Sequence, residues 1–567
     1  MNPDLKSAFC RKTVSFSILL LCSIFFLFSC REEKKKPKEK DIVKEPEKLG
    51  VRISKNLQSV INFALQNNGR VNDTSSLYER NALNKIYRNN KYAAIWSADG
   101  RWAPLSDSVF HFISKTKLYG LFPSDYHEAE LKGIRNQVEK DSISRKDAAL
   151  WSRADVFLTD ALLKISRHLK QGRLPYDSLT MKKDTLIPDD FYVGIFKHIL
   201  DSSQLTQTLA ALEPSIPAYH DLKGSIGPFL DSVKFRDYTY LVYPYADSVQ
   251  FFGLLQQRLV EEKIIDSADQ SMDTIAFKKA ITRYQKKRDL KPTGHINERT
   301  VRRLNDTQWE RFKRLAITLD KYKQLPDSMP ATFVWVNIPT FRMRVIDNYD
   351  SIVLESKIIV GASATRTPEL NSEISNFITY PQWTVPYSII FKEMLPKIQK
   401  DTNYLRSQNL MVVDKNDSVL YPSTINWAKL SKTKFPYLIR QREGDDNSLG
   451  VLKFNFRNKY AVYLHDTNAR WLFSKADRAL SHGCVRVQDW QHLANFLVRN
   501  DSVKYSPDTL TSWIVRQEKH VITGFKKVPI FIRYYTCEIR EGRLRFYEDI
   551  YAEDKYLAEK YFSGKLN

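Results

Sequence analysis

Residues 481–487 read Ser-His-Gly-Cys-Val-Arg-Val, and His465 stands nineteen residues before Cys484 in the run Tyr463-Leu464-His465-Asp466-Thr467. A fold that uses this pair must bring a thiol and an imidazole together from two segments, across a tight turn that Gly483 permits. Such a pair is the minimum for acyl transfer through a thioester. An ordinary thiol is only slightly ionised at neutral pH, so a neighbouring base has to take its proton; His465 is the candidate. Backbone N–H groups at Gly483-Cys484 are placed to meet the oxygen of a tetrahedral intermediate, and the guanidinium of Arg486 suits a carboxylate. The expected substrate is therefore anionic. A zinc site is a poor alternative, because His482 and Cys484 are only two apart and no CxxC or HExxH partner occurs. No metal and no cofactor is expected. Cys537, in Ile532-Arg533-Tyr534-Tyr535-Thr536-Cys537, reads instead as an inert core thiol.

The Ser-His-Gly-Cys-Val-Arg signature resembles that of the L,D-transpeptidases of bacterial cell walls, in particular their large multidomain branch. Further landmarks of that branch are Val336-Asn337-Ile338-Pro339, Val360-Gly361, Thr367-Pro368, Pro381-Gln382-Trp383-Thr384-Val385-Pro386, Asn447-Ser448-Leu449-Gly450 and Leu452-Lys453-Phe454. The closing stretch from Val528-Pro529 to Tyr551-Ala552-Glu553-Asp554 belongs with them, so the likeness covers residues 309–555. One departure is Gln441-Arg442-Glu443-Gly444, where charge replaces a proline of the usual Gln-x-Pro-Gly.

The resemblance implies a reaction in two halves. Cys484 attacks the third residue of a tetrapeptide stem and expels the terminal D-alanine, and the thioester then passes to the amine of another stem as a 3-3 cross-link. By matching positions, His465 is the base, and the backbone carbonyl of Asp466 is a candidate to orient it. Tyr463 and the Gly483-Cys484 backbone stabilise the oxyanion, Arg486 contacts substrate, and His482 belongs to most signatures. A capping insertion is expected over 388–440, where Trp427 is a candidate for substrate contact alongside a packing role. Two other readings stay open: an L,D-carboxypeptidase or endopeptidase that gives the thioester to water, and a non-catalytic wall-binding lipoprotein.

At the N-terminus, Lys6, Arg11 and Lys12 precede an apolar run from Val14 to Phe28 that ends in Leu27-Phe28-Ser29-Cys30. This has the layout of a secretion signal, and residues 1–30 resemble a lipoprotein signal with Cys30 as the lipidated residue. An uncleaved membrane anchor is the rival, although the run is short of the ~20 residues that span a bilayer. Either way the protein is expected in the periplasm, anchored at a membrane, the outer in preference to the inner. Residues 31–48, almost wholly Lys, Glu, Arg and Pro, read as a charged, solvated linker reaching roughly 60 Å when extended.

The full chain has 567 residues and a formal charge of +23, which admits nucleic acid, a membrane surface or another acidic polymer as partner. With an export signal and no nucleic-acid motif, peptidoglycan stems and anionic lipid are the expected partners, and no nucleic acid.

The fold class that follows is an α+β multidomain protein. Residues 50–245 read as mostly helical, with apolar residues at helical spacing from Ala154 to Ile165 and a stop at Gln171-Gly172-Arg173-Leu174-Pro175, and the stretches Ala94-Ile95-Trp96 and Gly120-Leu121-Phe122-Pro123-Ser124-Asp125-Tyr126-His127 resemble the scaffold domain of the same branch. Residues 246–308 resemble a small three-helix peptidoglycan-binding module through Phe277, Tyr284-Gln285, Gly294, Ile296 and Thr300, with Thr293 in place of the usual aspartate. The catalytic region is expected to be β-rich, with strands over 332–336 and 460–464.

Overall fold

The computed structural model describes residues 36–182, 186–266, 273–501 and 503–562. The signal, with Cys30, lies outside the described residues. The chain forms two compact units: one of the described residues through Ser114 with Asp125–Ser166 and Pro188–Thr208, the other of Lys115–Ser124, Arg167–Ile187 and the described residues from Leu209 onward.

The first unit is helical. Helix Ala148–Lys170 buries nearly every side of its middle turns, including Val156, Leu158, Ala161, Leu162 and Ile165. Its buried Asp155 is spent on structure: the carboxylate accepts from the Tyr87 hydroxyl at 2.5 Å and from the Trp96 amide at 3.0 Å. The charged run expected as a solvated linker is fastened over its last part. Asp41 is 9% exposed and pairs with Arg52 at 2.7 Å, and Ile42 bridges to Asp147. A carboxylate placed among Arg52, Asn56 and the helix start finds enough partners to hold backbone that composition alone leaves in water.

In the second unit, helices Ser248–Glu261, Thr274–Lys287 and Glu298–Asn305 share a core of Phe251, Leu255, Leu259, Ile281, Tyr284, Val301 and Leu304. Side chains of Asp247, Asp273 and Asn297 cap their N-termini. Helix Gln308–Tyr322 follows, and just past Gly172 its Asp320 accepts from the amides of Arg173 and Leu174 and pairs with Lys323 at 3.1 Å. Gly172 has φ +82°, and a Cβ there would lie 2.8 Å from the Asp320 carboxylate.

The β-rich region begins with β1 (Phe333–Asn337), β2 (Arg342–Asp347), β3 (Ser351–Gly361) and β4 (Leu370–Thr379). An insertion then supplies β5 (Trp383–Thr384), β6 (Leu410–Val413), β7 (Val419–Leu420) and β8 (Leu438–Gln441), with short helices between β5 and β6. These strands form a separate sheet in the order β5-β8-β6-β7 over their own core. The main sheet resumes with β9 (Leu452–Phe456), β10 (Leu464–His465), β11 (Ala479–Ser481), β12 (Val485–Val487), β13 (Val521–Ile522) and β14 (Val528–Arg533). Its order is β9-β10-β12-β3-β2-β1-β14-β4-β13, with β11 on β3. A further β9–β4 pairing closes it into a barrel-like sheet. The expected strand over 460–464 survives only at its end: Ala461 turns at φ +54°, and the Asn458 side chain accepts from the Tyr460 and Val462 amides, so ladder bonds give way to a side-chain-held turn.

Replacing Asp320 by alanine removes the acceptor of the part-buried Arg173 amide and the buried Leu174 amide, and leaves the buried Lys323 ammonium without its carboxylate, holding only the His168 carbonyl among the described residues. The expected cost is about 3 kcal/mol in urea unfolding. A midpoint within error of wild type contradicts this account of the bend after Gly172.

Candidate active site

The pleat of three adjacent strands assembles the site. β10 runs parallel to β12 with Leu464 opposite Val485 and His465 opposite Arg486, and antiparallel to β9 with Lys453 opposite His465. Alternation then sends Leu452, Phe454, Leu464, Val485 and Val487 into the barrel core, where each is no more than 1% exposed. The residues between them, Lys453, Tyr463, His465, Cys484 and Arg486, share the opposite face.

On that face the rings of Tyr463 and His465 lie 5.5 Å apart, and the Lys453 ammonium sits 4.1 Å over the Tyr463 ring. Tyr463 also lies beside the Cys484 thiol and Trp383 of β5, and burial next to that thiol raises its phenol well above the ordinary value. The thiol points its Sγ to the Ala461 carbonyl at 3.9 Å, and no hydrogen bond joins it to the imidazole. His465 is 5% exposed. Its Nδ1 has no partner within bonding distance, although the nearby carbonyls of Asp466 and Leu449 favour the charged ring.

The electrostatics make this a neutral pair. Burial, followed by the Arg486 charge, holds the His465 imidazole down at about 3. Burial likewise pushes the Cys484 thiol up, against the pull of Tyr463, Lys453 and Arg486. Lys453 and Arg486 are both held below their ordinary values by burial, and neither has a carboxylate partner among the described residues. Two cations thus stand beside one thiol with no anion between them. Cys537, by contrast, is fully buried beside Thr318 and its thiol is pushed up to about 12.

The other sequence candidates are placed as follows. The Asp466 side chain accepts from the Val451 amide at 3.0 Å and pairs with Arg470 at 2.6 Å, which fixes the backbone next to His465. His482 meets Glu393, at the start of the insertion, at 2.7 Å. Trp427 is 5% exposed inside the insertion core and donates its indole N–H to the Pro422 carbonyl at 2.9 Å, so the structure places it in packing. Sequence reasoning singled out neither Lys453 nor Trp383 as a site residue. The one available signal was alternation: a lysine between Leu452 and Phe454 must face away from the core.

Residues 331–504 match the YkuD family of L,D-transpeptidase catalytic domains, and residues 81–225 match the Scaffold domain family. The chain thus carries a YkuD L,D-transpeptidase catalytic domain together with a Scaffold domain. It is 35% identical over 253 residues to a Haemophilus influenzae protein named "Putative L,D-transpeptidase", a match covering 43% of this chain and 49% of the relative. The chain therefore spans about half the length of that curated relative. A solved L,D-transpeptidase from Stackebrandtia nassauensis aligns with 13% identity over 55% of this chain and all of that one; at a TM-score of 0.15 the alignment carries no argument.

A buried imidazole with a depressed folded-state value favours folding most above its unfolded value of about 6.5 and loses that contribution as pH falls toward 3. Wild type should therefore lose about 2 kcal/mol relative to His465→Gln between pH 7 and pH 4.5 in chemical denaturation. A gap independent of pH contradicts the neutral buried ring.

Proposed function

We propose that this protein is a cysteine-dependent L,D-transpeptidase that forms 3-3 cross-links in peptidoglycan. The observation that carries the reading is the grouping of a thiol, a neutral imidazole and two unpartnered cations on one face of a YkuD-type domain. Cys484 Sγ attacks the carbonyl of the third stem residue while its proton moves to His465. The resting pair is neutral, so proton transfer accompanies attack rather than preceding it. The tetrahedral intermediate collapses with loss of the terminal D-alanine as its amine, protonated by the imidazolium. The amine of a second stem then attacks the thioester, loses a proton and restores the thiol. Arg486 and Lys453 hold carboxylates of the donor stem, Tyr463 steadies the developing oxyanion, and the Asp466 backbone orients the imidazole.

The rest of the chain fits a wall-directed enzyme. Lipidation at Cys30 would tether it in the periplasm, the 246–308 helices would bind glycan strands, and the 388–440 insertion would exclude water in favour of an amine acceptor.

Purified protein incubated with a disaccharide tetrapeptide should yield a dimer lighter by one D-alanine, read by mass spectrometry. A tripeptide as sole product would replace the transferase by a hydrolase. Cys484→Ala should abolish both products, and full activity in that variant sinks the mechanism. Arg486→Met should raise KM about tenfold with a smaller change in kcat.

A further inference from the structure

We infer that Thr367 and Tyr551 are positioning residues that aim the backbone N–H of Cys484 at the oxyanion. The inference rests on the thioester reading above. The Thr367 hydroxyl donates to the Gly483 carbonyl at 2.8 Å and accepts from the Gly361 amide at 2.8 Å. A threonine hydroxyl has a single proton, and with a donor as its other neighbour that proton goes to Gly483. Tyr551 sets the next link by the same logic: its hydroxyl accepts from the Thr367 amide at 3.1 Å and donates to the Gly361 carbonyl at 2.6 Å. Ser481 closes the turn from the other side, accepting from the Gly483 amide at 3.1 Å and donating to the Cys484 carbonyl at 2.6 Å.

Of the polar backbone groups of Gly483 and Cys484, only the Cys484 N–H is left without an acceptor among the described residues. In a trans peptide the C=O and N–H point in opposite directions. Fixing the Gly483 carbonyl on Thr367 therefore fixes the free Cys484 N–H on the other side of the same plane. Gly483 takes φ +118°, a backbone geometry glycine allows without strain, so the plane can lie this way. A donor oriented before the reaction needs no reorganisation when charge develops on the substrate oxygen, which is how an oxyanion site lowers a barrier. Thr367 and Tyr551 are separated by 184 residues in the chain, so the closing C-terminal segment acts on the nucleophile turn only through the fold.

The test compares two reactions of Cys484 in the purified full-length protein. Acylation by p-nitrophenyl acetate passes through a tetrahedral oxyanion; alkylation by iodoacetamide displaces iodide from a saturated carbon and builds none. In Thr367→Val and Tyr551→Phe, acylation should fall roughly 10- to 100-fold while alkylation stays within about twofold, and Thr367→Ser should recover most of the loss. Tyr551→Phe keeps the ring packing and covers the case in which valine disturbs the loop. An acylation-to-alkylation ratio equal to wild type, or equal loss of both rates, overturns the inference. Release of D-alanine from tetrapeptide by the same preparations tests the functional reading separately. Its absence in wild type, with the ratio still falling in the variants, would remove the proposed substrate and leave the clamp standing.

Discussion

The parallel pairing of β10 with β12 is the constraint on which the site depends. Parallel neighbours put residues of equal parity on one side, so a single register choice carries Tyr463, His465, Cys484 and Arg486 to the same face and Leu464, Val485 and Val487 to the core. A slip of one residue would exchange the two sets, exposing three fully buried apolar side chains and turning the Arg486 charge toward the core. The hydrophobic core therefore fixes which side chains share the face of the candidate site, through packing that has no chemical role of its own.

The same burial sets the electrical state of the site. A thiol raised and an imidazole lowered by desolvation rest as uncharged groups, in contrast to a thiolate–imidazolium pair. Lys453 and Arg486 bring positive charge to the same face without carboxylate partners. Leaving two cations uncompensated costs stability, and an anionic ligand would offset that cost on binding.

Much of this was legible in the residues. Ser481 to Val487 with His465 marks the candidate pair that the fold brings to one face, and the apolar spacing from Ala154 to Ile165 marks a buried helix. Other features were hidden because they depend on partners far away in the chain. Asp41 sits in a run whose composition says linker, yet it is held by Arg52 and by the Asp147 side chain. Trp427, a candidate for substrate contact, is absorbed by the insertion's own core. Tyr460 to Leu464 has strand composition, but Asn458 turns it.

The sequence by itself determined which atoms can react and what flanks them: a thiol behind a glycine, an imidazole nineteen residues earlier and an arginine two residues on. Local order and residue chemistry suffice for that. Only the tertiary structure decided the protonation state of the pair, the presence of Lys453 and Trp383 beside it, and the fixing of the Gly483 carbonyl by Thr367, itself held by Tyr551. Desolvation and hydrogen-bond direction are properties of surroundings, and those surroundings come from strands and loops distant in sequence.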